Sequence, residues 1–381
     1  MQTIYQPGAT IGMLGGGQLG RMSILAGRAL GYRFHVFEPK AGCCATSVAD
    51  GQTVADYSNA EALREFASHC DVVTLEFENV AREAVDVVTE AGVPVHPGGN
   101  VLHICQNRRR EKEFLRDNGF PCVDFRVVAN AEEFAQAVAE LGTPCVLKTA
   151  DFGYDGKGQV KVEDASADLA QIWKDHDCPM GVVEAWAPFA AECSIVVARG
   201  YRGECSAFPM AENVHRNHIL HQSIVPARMP EEIEMQAVDL AVRIAHALEV
   251  VGLIAVEFFV MPDGTLLVNE CAPRPHNSGH YTMDACRTSQ FEQHVRAVTG
   301  MPLGNTSQFR PAVMVNLLGD VWRDGQTPDW SRLLADPDVK LHLYDKGEPK
   351  QGRKMGHFTV VKDSIEEAML TADHVFAALD Q

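Results

Sequence analysis

Apolar runs of strand length alternate with segments of helical period over the first hundred residues, which restricts the start of this chain to a parallel sheet with helices on its faces. Residues 10–13 read as a short buried strand, 15–20 as a glycine turn, 18–30 as a helix and 33–37 as a second strand. Residues 71–78, 81–91 and 93–96 continue as strand, helix and strand. The turn GGGQLG satisfies GxGxxG, and Glu38 ends the following strand. That is the fingerprint of a dinucleotide-binding fold, so a dehydrogenase is one reading. The same turn lets a helix N-terminus meet any phosphate.

A different unit begins near residue 120, where helical period over 106–118 runs into Gly119 and Pro121. Strand, helix and strand follow at 125–128, 131–141 and 145–149. The segment VLKTADFGYDGKGQ then places Lys148 on a strand and passes through Gly153, Gly156 and Gly158 before another strand at Val160. This is not a P-loop, whose glycines open a helix. Glycines between two strands let backbone N–H groups close over phosphate oxygens, with Lys148 and Lys157 offsetting charge. As a bare motif, a glycine-rich hairpin with solvated lysines stands equally.

Glu257 and Glu270 are thirteen residues apart, at mirror positions about Asp263-Gly264. The flanking runs AVEFFVM and TLLVNEC are strand-like, and DG is a strong hairpin signal. The two carboxylates should therefore face each other across adjacent strands. Like charges there destabilise a sheet unless a proton, a base or a metal intervenes. A hard ion such as magnesium takes carboxylate oxygens and bridges to phosphates; pairing of one Glu with a nearby Arg, or a register shift, is the bland alternative. A glycine loop, adjacent lysines and opposed carboxylates together make a nucleotide triphosphate site.

With 381 residues, 46% of them hydrophobic, the chain can bury two or three cores. A formal charge of −18 argues against a nucleic-acid groove and requires any anionic ligand to be caught by a local cationic cluster. No apolar run reaches transmembrane length, and no basic segment precedes an apolar core at the start, so the expectation is a cytoplasmic protein. Eleven cysteines without CxxC spacing read as reduced thiols, the adjacent Cys43 and Cys44 included.

The segments GGGQLGRM, TLEFENV, LKTADFGYDGKGQ, NECAPRPHNSGH and YDKGEPKQGRKMGH together resemble the ATP-grasp superfamily and, within it, the 5-(carboxyamino)imidazole ribonucleotide synthetases, from about residue 8 onwards. The resemblance implies an α/β chain with an ATP-grasp fold, an N-terminal doubly wound parallel-sheet domain and a small C-terminal domain. It divides the chain into a substrate domain at 1–105, an ATP-grasp module at 106–300 with a lid at about 120–190, and a C-terminal domain at 301–381. The implied reaction joins ATP, bicarbonate and 5-aminoimidazole ribonucleotide through carboxyphosphate. A homodimer is implied too.

Carried over by residue, the resemblance places ATP against Arg108, Lys148, the loop of Gly153, Tyr154, Asp155, Gly156, Lys157, Gly158 and Gln159, the strand of Glu184, Ala185, Trp186 and Ala187 beside adenine, and Glu192, His215, Asn269 and Glu270. Glu257 and Glu270 become ligands of Mg2+ (or Mn2+). Arg274, His276 and Asn277 receive bicarbonate and carboxyphosphate, His276 assisting proton removal from the attacking amine. A structural loop in which Arg274 pairs with Glu270 is the alternative. Gln18, Leu19, Glu76, the backbone of Tyr154 and Asp155, and the cations Lys346, Arg353 and Lys354 take the ribonucleotide, with the glycine turn and helix dipole serving its phosphate or sugar.

Residues 231–248 and 365–379 read as core helices, and of Arg108, Arg109 and Arg110 only Arg108 carries a role. A dehydrogenase leaves the glycine loop and the opposed glutamates without a purpose. A non-catalytic nucleotide sensor would lack Arg274, His276 and Asn277. Within the superfamily the formate-dependent glycinamide ribonucleotide transformylase is the nearest competitor.

Overall fold

The computed structural model describes residues 3–151, 158–164 and 166–379. Strands Gly51–Thr53, Arg33–Phe37, Thr10–Leu14, Val72–Leu75 and Val95–His96 lie side by side in that order, all parallel. Gly51–Thr53 carries no apolar run and gave no strand signal. Helix Gln18–Ala29 buries Met22 and Ile24, and helices Ala60–Ser68 and Arg82–Glu90 bury Leu63, Phe66, Val85 and Val88. Apolar cores thus form around both Ile11, Met13 and Val36 and Leu14, Phe37 and Leu75. The strand expected over 71–78 ends at Leu75, which sends Glu76 and Glu78 out at the carboxyl edge of the sheet.

Strands Phe125–Val128, Gly181–Ala185, Cys145–Thr149 and Gln159–Val162 form a separate antiparallel sheet. Helices Ala131–Leu141 and Leu169–His176 cover it through Phe134, Val138 and Trp173. Asn130 starts the first of these by accepting from the Glu133 N–H at 2.9 Å.

A nine-stranded sheet carries the rest. Helix Glu231–Ala247 packs on it through Ala237, Ala241 and Ile244, against Ile195, Ile254 and Val256; each fully buried Ile or Val contributes roughly 1.5–3 kcal/mol. Strand Ala312–Leu318 pairs with Ile219–Val225, so hydrogen bonding runs unbroken across the boundary expected at residue 300. Beyond it, Phe358 and Val360 pack beneath Ala372 and Val375 of helix Ile365–Ala378. Helix Gln290–Thr299 is wedged between the large sheet and the N-terminal unit. No helix among the described residues is long and apolar enough to cross a membrane.

Candidate active site

Glu257 and Glu270 are register partners on adjacent antiparallel strands Gly252–Val260 and Leu266–Ala272, as the mirror reading requires. The route to that pairing differs from a simple two-residue turn. Met261 N–H donates to Thr265 O at 2.9 Å, and Gly264 takes φ +86°, which makes Pro262, Asp263 and Gly264 a three-residue loop. The register is displaced by one residue as far as Phe258 and Val268, and a bulge at Asn269 restores it. Two single-residue departures cancel, and the carboxylates meet.

Helix Arg108–Asp117 lies across this bulge. Asn107 caps it, accepting from Arg110 N–H at 3.0 Å. Residues 108, 111 and 112 share one face of a helix, and here they face the strand that carries Glu270. Arg108 Nη2 donates to Glu270 Oε2 at 3.1 Å. Glu111 accepts from the Cys271 N–H at 2.5 Å. The fully buried Lys112 donates to the carbonyls of Asn269 at 2.9 Å and Val268 at 3.3 Å. Burial pushes the Glu111 carboxyl up to about 8, and the charge of Glu270 adds to the rise.

Three cations converge on Glu184 from two units of the fold: Lys148 Nζ at 2.7 Å, Arg108 Nη1 at 3.6 Å and Lys112 Nζ at 3.9 Å. Burial raises its carboxyl, but Lys112, Lys148 and Arg108 outweigh that and bring it down to about 2. Burial also lowers Lys148, against the opposing pull of Glu184. Glu184 therefore couples the small antiparallel sheet to the Arg108 helix. Its strand ends at Ala185, after which Trp186 is exposed with Lys161 Nζ 4.0 Å from its ring centre.

On the Glu257 side, His276 Nε2 lies 3.0 Å from Glu257 Oε1, and His215 Nδ1 lies 2.7 Å from Glu192 Oε2. Burial raises Glu257, and the hydrogen bond and charge of His276, then His215 and Lys354, bring it down to about 2. Arg274 forks onto Glu78, with Nη2 to Oε1 at 2.8 Å and Nε to Oε2. The expected alternative of Arg274 on Glu270 is corrected: Arg108 takes Glu270, and Arg274 takes a carboxylate from the N-terminal sheet. The Asn277 amide is committed to Asn316, donating to Oδ1 at 3.0 Å and accepting from Nδ2.

The proposed ribonucleotide cations close the other end. Lys346 Nζ donates to Gln18 Oε1 at 2.9 Å, joining the C-terminal segment to the first helix. Burial lowers the Lys346 ammonium, and Arg353 lowers it further. Arg353 donates to Glu348 O at 2.9 Å. The Leu19 side chain is core, packed with Met22, Phe291 and Tyr344. The glycine turn departs from expectation. Glu76 accepts from Gly17 N–H at 2.6 Å and Gly20 N–H at 3.1 Å, and Glu38 accepts from Gly16 N–H at 3.1 Å. Carboxylates of the protein itself thus face the N–H groups at the head of this helix.

Three domain families match along this chain: a ribonucleotide synthetase preATP-grasp domain over residues 8–106, an ATP-grasp domain over 113–291 and a phosphoribosylaminoimidazole carboxylase C-terminal domain over 312–370. The N5-carboxyaminoimidazole ribonucleotide synthase of Bacillus subtilis is 45% identical over 372 residues, covering 96% of this chain and 94% of the relative. That of Brucella melitensis is 43% identical over 365 residues, covering 95% and 98%.

This chain belongs to the N5-carboxyaminoimidazole ribonucleotide synthase family.

Crystal structures of such synthases superimpose on it closely. An ADP complex gives a TM-score of 0.93 at 43% identity, covering 100% of both chains. An Aspergillus clavatus synthase in complex with ADP and 5-aminoimidazole ribonucleotide gives 0.91 at 31% identity, covering 98% of this chain and 99% of that one. The ATP-grasp fold with its N-terminal parallel sheet is thereby shown.

Of the residues that the synthase resemblance selected, Arg108, Lys148, Glu184 and Glu270 make one ion cluster and Glu257 and His276 a second, while Gln18 and Lys346 share a hydrogen bond. The Lys354 charge lowers both the Glu257 carboxyl and the Lys346 ammonium. Gly153, Tyr154, Asp155, Gly156 and Lys157 lie outside the described residues. Gly158 has φ +72° and sits against Thr149, 2.6 Å from a would-be Cβ. Asn269 Oδ1 is buried without a hydrogen-bond partner, on the unpaired bulge residue immediately before Glu270. Two opposed carboxylates, with an orphaned amide oxygen one residue from Glu270, offer hard donors of the kind that suits magnesium.

Sequence reasoning missed Lys112, Glu111, Glu78 and Asn316. The spacing of Arg108, Glu111 and Lys112 on one helix face was available as a signal for the first two. Elsewhere, Asp284, His342 and His357 bring one ligand atom each within 4.8 Å. In that group His342 Nε2 is already 2.8 Å from Asp284 and His357 Nδ1 is 2.7 Å from Tyr344 Oη.

Proposed function

We propose that this chain carboxylates 5-aminoimidazole ribonucleotide with bicarbonate, converting ATP to ADP and phosphate and giving 5-(carboxyamino)imidazole ribonucleotide for purine biosynthesis. The activity named for its full-length relatives supports this reading, as does the ADP and 5-aminoimidazole ribonucleotide complex of the Aspergillus clavatus synthase. The observation that carries it is the opposed pair Glu257 and Glu270 beside the orphaned Asn269 Oδ1, with Arg108 and Lys148 at its edge.

In this reading a bicarbonate oxygen attacks the γ-phosphorus, the bond to the β,γ-bridging oxygen breaks, and ADP leaves with that electron pair. The amine nitrogen then attacks the carboxyl carbon of carboxyphosphate. The carbon–oxygen bond breaks, phosphate leaves, and the amine proton is released. Arg108 and Lys148 meet the charge spread over the transferring phosphoryl oxygens. Glu257, Glu270 and Asn269 would hold Mg2+ or Mn2+, which when bound withdraws charge from the phosphate oxygens. Residues 153–159, Glu184 to Ala187, Glu192 and His215 complete the ATP site.

Arg274, His276 and Asn277 border the acid intermediate, Arg274 already held in a fork by Glu78. Gln18, the Leu19 backbone, Glu76, Tyr154, Asp155, Lys346, Arg353 and Lys354 take the ribonucleotide. The division at 1–105, 106–300 and 301–381 assigns substrate, nucleotide and phosphate capture to successive parts. The enzyme works as a cytoplasmic homodimer.

A coupled ADP assay tests the reading, with bicarbonate or formate and each ribonucleotide in turn. ADP release should require bicarbonate and 5-aminoimidazole ribonucleotide together. Turnover with formate and glycinamide ribonucleotide instead would move the assignment to the transformylase.

A further inference from the structure

His276 is held from both sides, and the two sides differ in chemistry. Nε2 lies 3.0 Å from Glu257 Oε1, an acceptor. Nδ1 lies 2.8 Å from Ser278 Oγ and accepts from the Ser278 backbone N–H at 3.3 Å. Behind Ser278 the chain of contacts continues inward. Ser194 Oγ donates to Ser278 Oγ at 2.7 Å, Asn213 Nδ2 donates to Ser194 Oγ at 3.0 Å, and Ser223 Oγ donates to Asn213 Oδ1 at 3.0 Å. Ser194, Asn213, Ser223 and Ser278 are all buried.

Hydroxyl chains can run in either direction, and an amide can flip to suit. The Ser278 backbone N–H removes that freedom. It always donates, so Nδ1 must offer a lone pair, and a proton on Nδ1 would set two N–H groups against each other. With Nδ1 unprotonated, the Ser278 hydroxyl hydrogen turns to it, Ser194 supplies the hydrogen that Ser278 Oγ accepts, and the whole row is polarised outward. The remaining proton of the neutral ring then lies on Nε2, aimed at Glu257.

We propose that Ser278, supported by Ser194, Asn213 and Ser223, is a positioning residue that fixes His276 as the Nε2–H tautomer and makes it a hydrogen-bond donor to Glu257. Ser194 and Glu257 are register partners on neighbouring strands, and Asn213 and Ser223 on the next pair, so the row is built into the large sheet. In this tautomer Nε2 has no lone pair for the amine proton. His276 instead holds Glu257 in place against the like charge of Glu270. Outer partners that orient a site imidazole are worth about 10–100-fold in activity when removed.

The test is nitrogen-15 NMR of the full chain labelled at histidine, with the His276 signals identified by their loss in His276→Gln. Wild type should show Nε2 protonated and Nδ1 bare; a protonated Nδ1 overturns the proposal. Ser278→Ala should give mixed tautomers and lower kcat about 10-fold, with KM for ATP changed less than about twofold, and Ser278→Thr should restore both. A wild-type tautomer signal and kcat in Ser278→Ala would overturn it. If Ser278→Ala does not fold, Ser194→Ala, one link further from the ring, should move the same signals in the same direction, and unchanged signals count against the row. The kinetic half rests on the carboxylase reading above, whereas the tautomer half does not. Wild type inactive towards bicarbonate and 5-aminoimidazole ribonucleotide would sink that reading and leave the NMR result to decide this one.

Discussion

Lys112 Nζ donates to Asn269 O at 2.9 Å from a fully buried position, and that one contact ties the Arg108 helix to the bulge that sets Glu270 opposite Glu257. The same ammonium reaches Val268 O and offsets Glu184. Lys112→Met keeps the volume and removes the donor. It leaves bulge carbonyls without their partner and Glu184 short of a cation, a cost of about 2–4 kcal/mol. Urea denaturation should show that loss, and calorimetric ADP titration should show weaker binding than a control variant of equal stability. ADP affinity equal to the control's would separate Lys112 from the site.

Removing one charge at the pair should end turnover. Glu270→Gln frees Arg108 Nη2 from its carboxylate and leaves the hard-donor set one anion short. Coupled ADP release should fall about a hundredfold or more. Chelation with EDTA should silence wild type, and added magnesium or manganese should restore it. Persistence of turnover in excess EDTA would contradict the proposed role of the two glutamates.

How much of this was legible from the sequence depends on chain distance. The parallel sheet, the hairpin and the strands on either side of the glycine segment are local patterns, and they emerged as read. The Glu257 and Glu270 pairing emerged too, although the bulge and the three-residue loop that produce it were invisible to a count from a two-residue turn. Arg274 and Glu78 stand 196 residues apart in sequence, and Lys346 and Gln18 stand 328 apart, so no local period relates them. Only the family resemblance brought Lys346 and Gln18 to one site, and Glu78 escaped notice. The glycine-turn motif records a tight turn before a helix and does not say which anion the N–H groups face; in this structure Glu76 and Glu38 face them.

Lys346 bridges to Gln18 at the proposed ribonucleotide end, far along the chain from the residues proposed for the triphosphate. Lys346→Met should raise KM for 5-aminoimidazole ribonucleotide about 10–100-fold, the worth of one charge-assisted contact. KM for ATP should stay within about twofold. Initial-rate kinetics with each substrate varied in turn decides the matter. A parallel rise in both constants would place Lys346 in the general architecture of the cleft.

His294 is one of several buried histidines held neutral in the fold, and it lies at the contact between the N-terminal sheet and helix Gln290–Thr299. Thr74 Oγ1 donates to His96 O at 2.9 Å, so it accepts from His294 Nε2–H at 2.8 Å, and buried Nδ1 has no partner. Protonation would create a second buried N–H without an acceptor. Burial, aided by His96, accordingly lowers His294 from 6.5 to about 3. A lowered folded pKa means that the unfolded chain binds the extra proton first, so the contribution is complete above the unfolded value of 6.5 and declines as pH falls towards 3. Glu184 and Glu257, each lowered from 4.5 to about 2, enter only below 4.5, which leaves the window above it to histidines. His294→Gln keeps a donor for Thr74 and cannot titrate. Between pH 6.5 and 4.5 it should lose roughly 2 kcal/mol less stability than wild type. Thermal or urea unfolding across that range measures the difference, and parallel curves for the two proteins would show that His294 takes up its proton without cost to the fold.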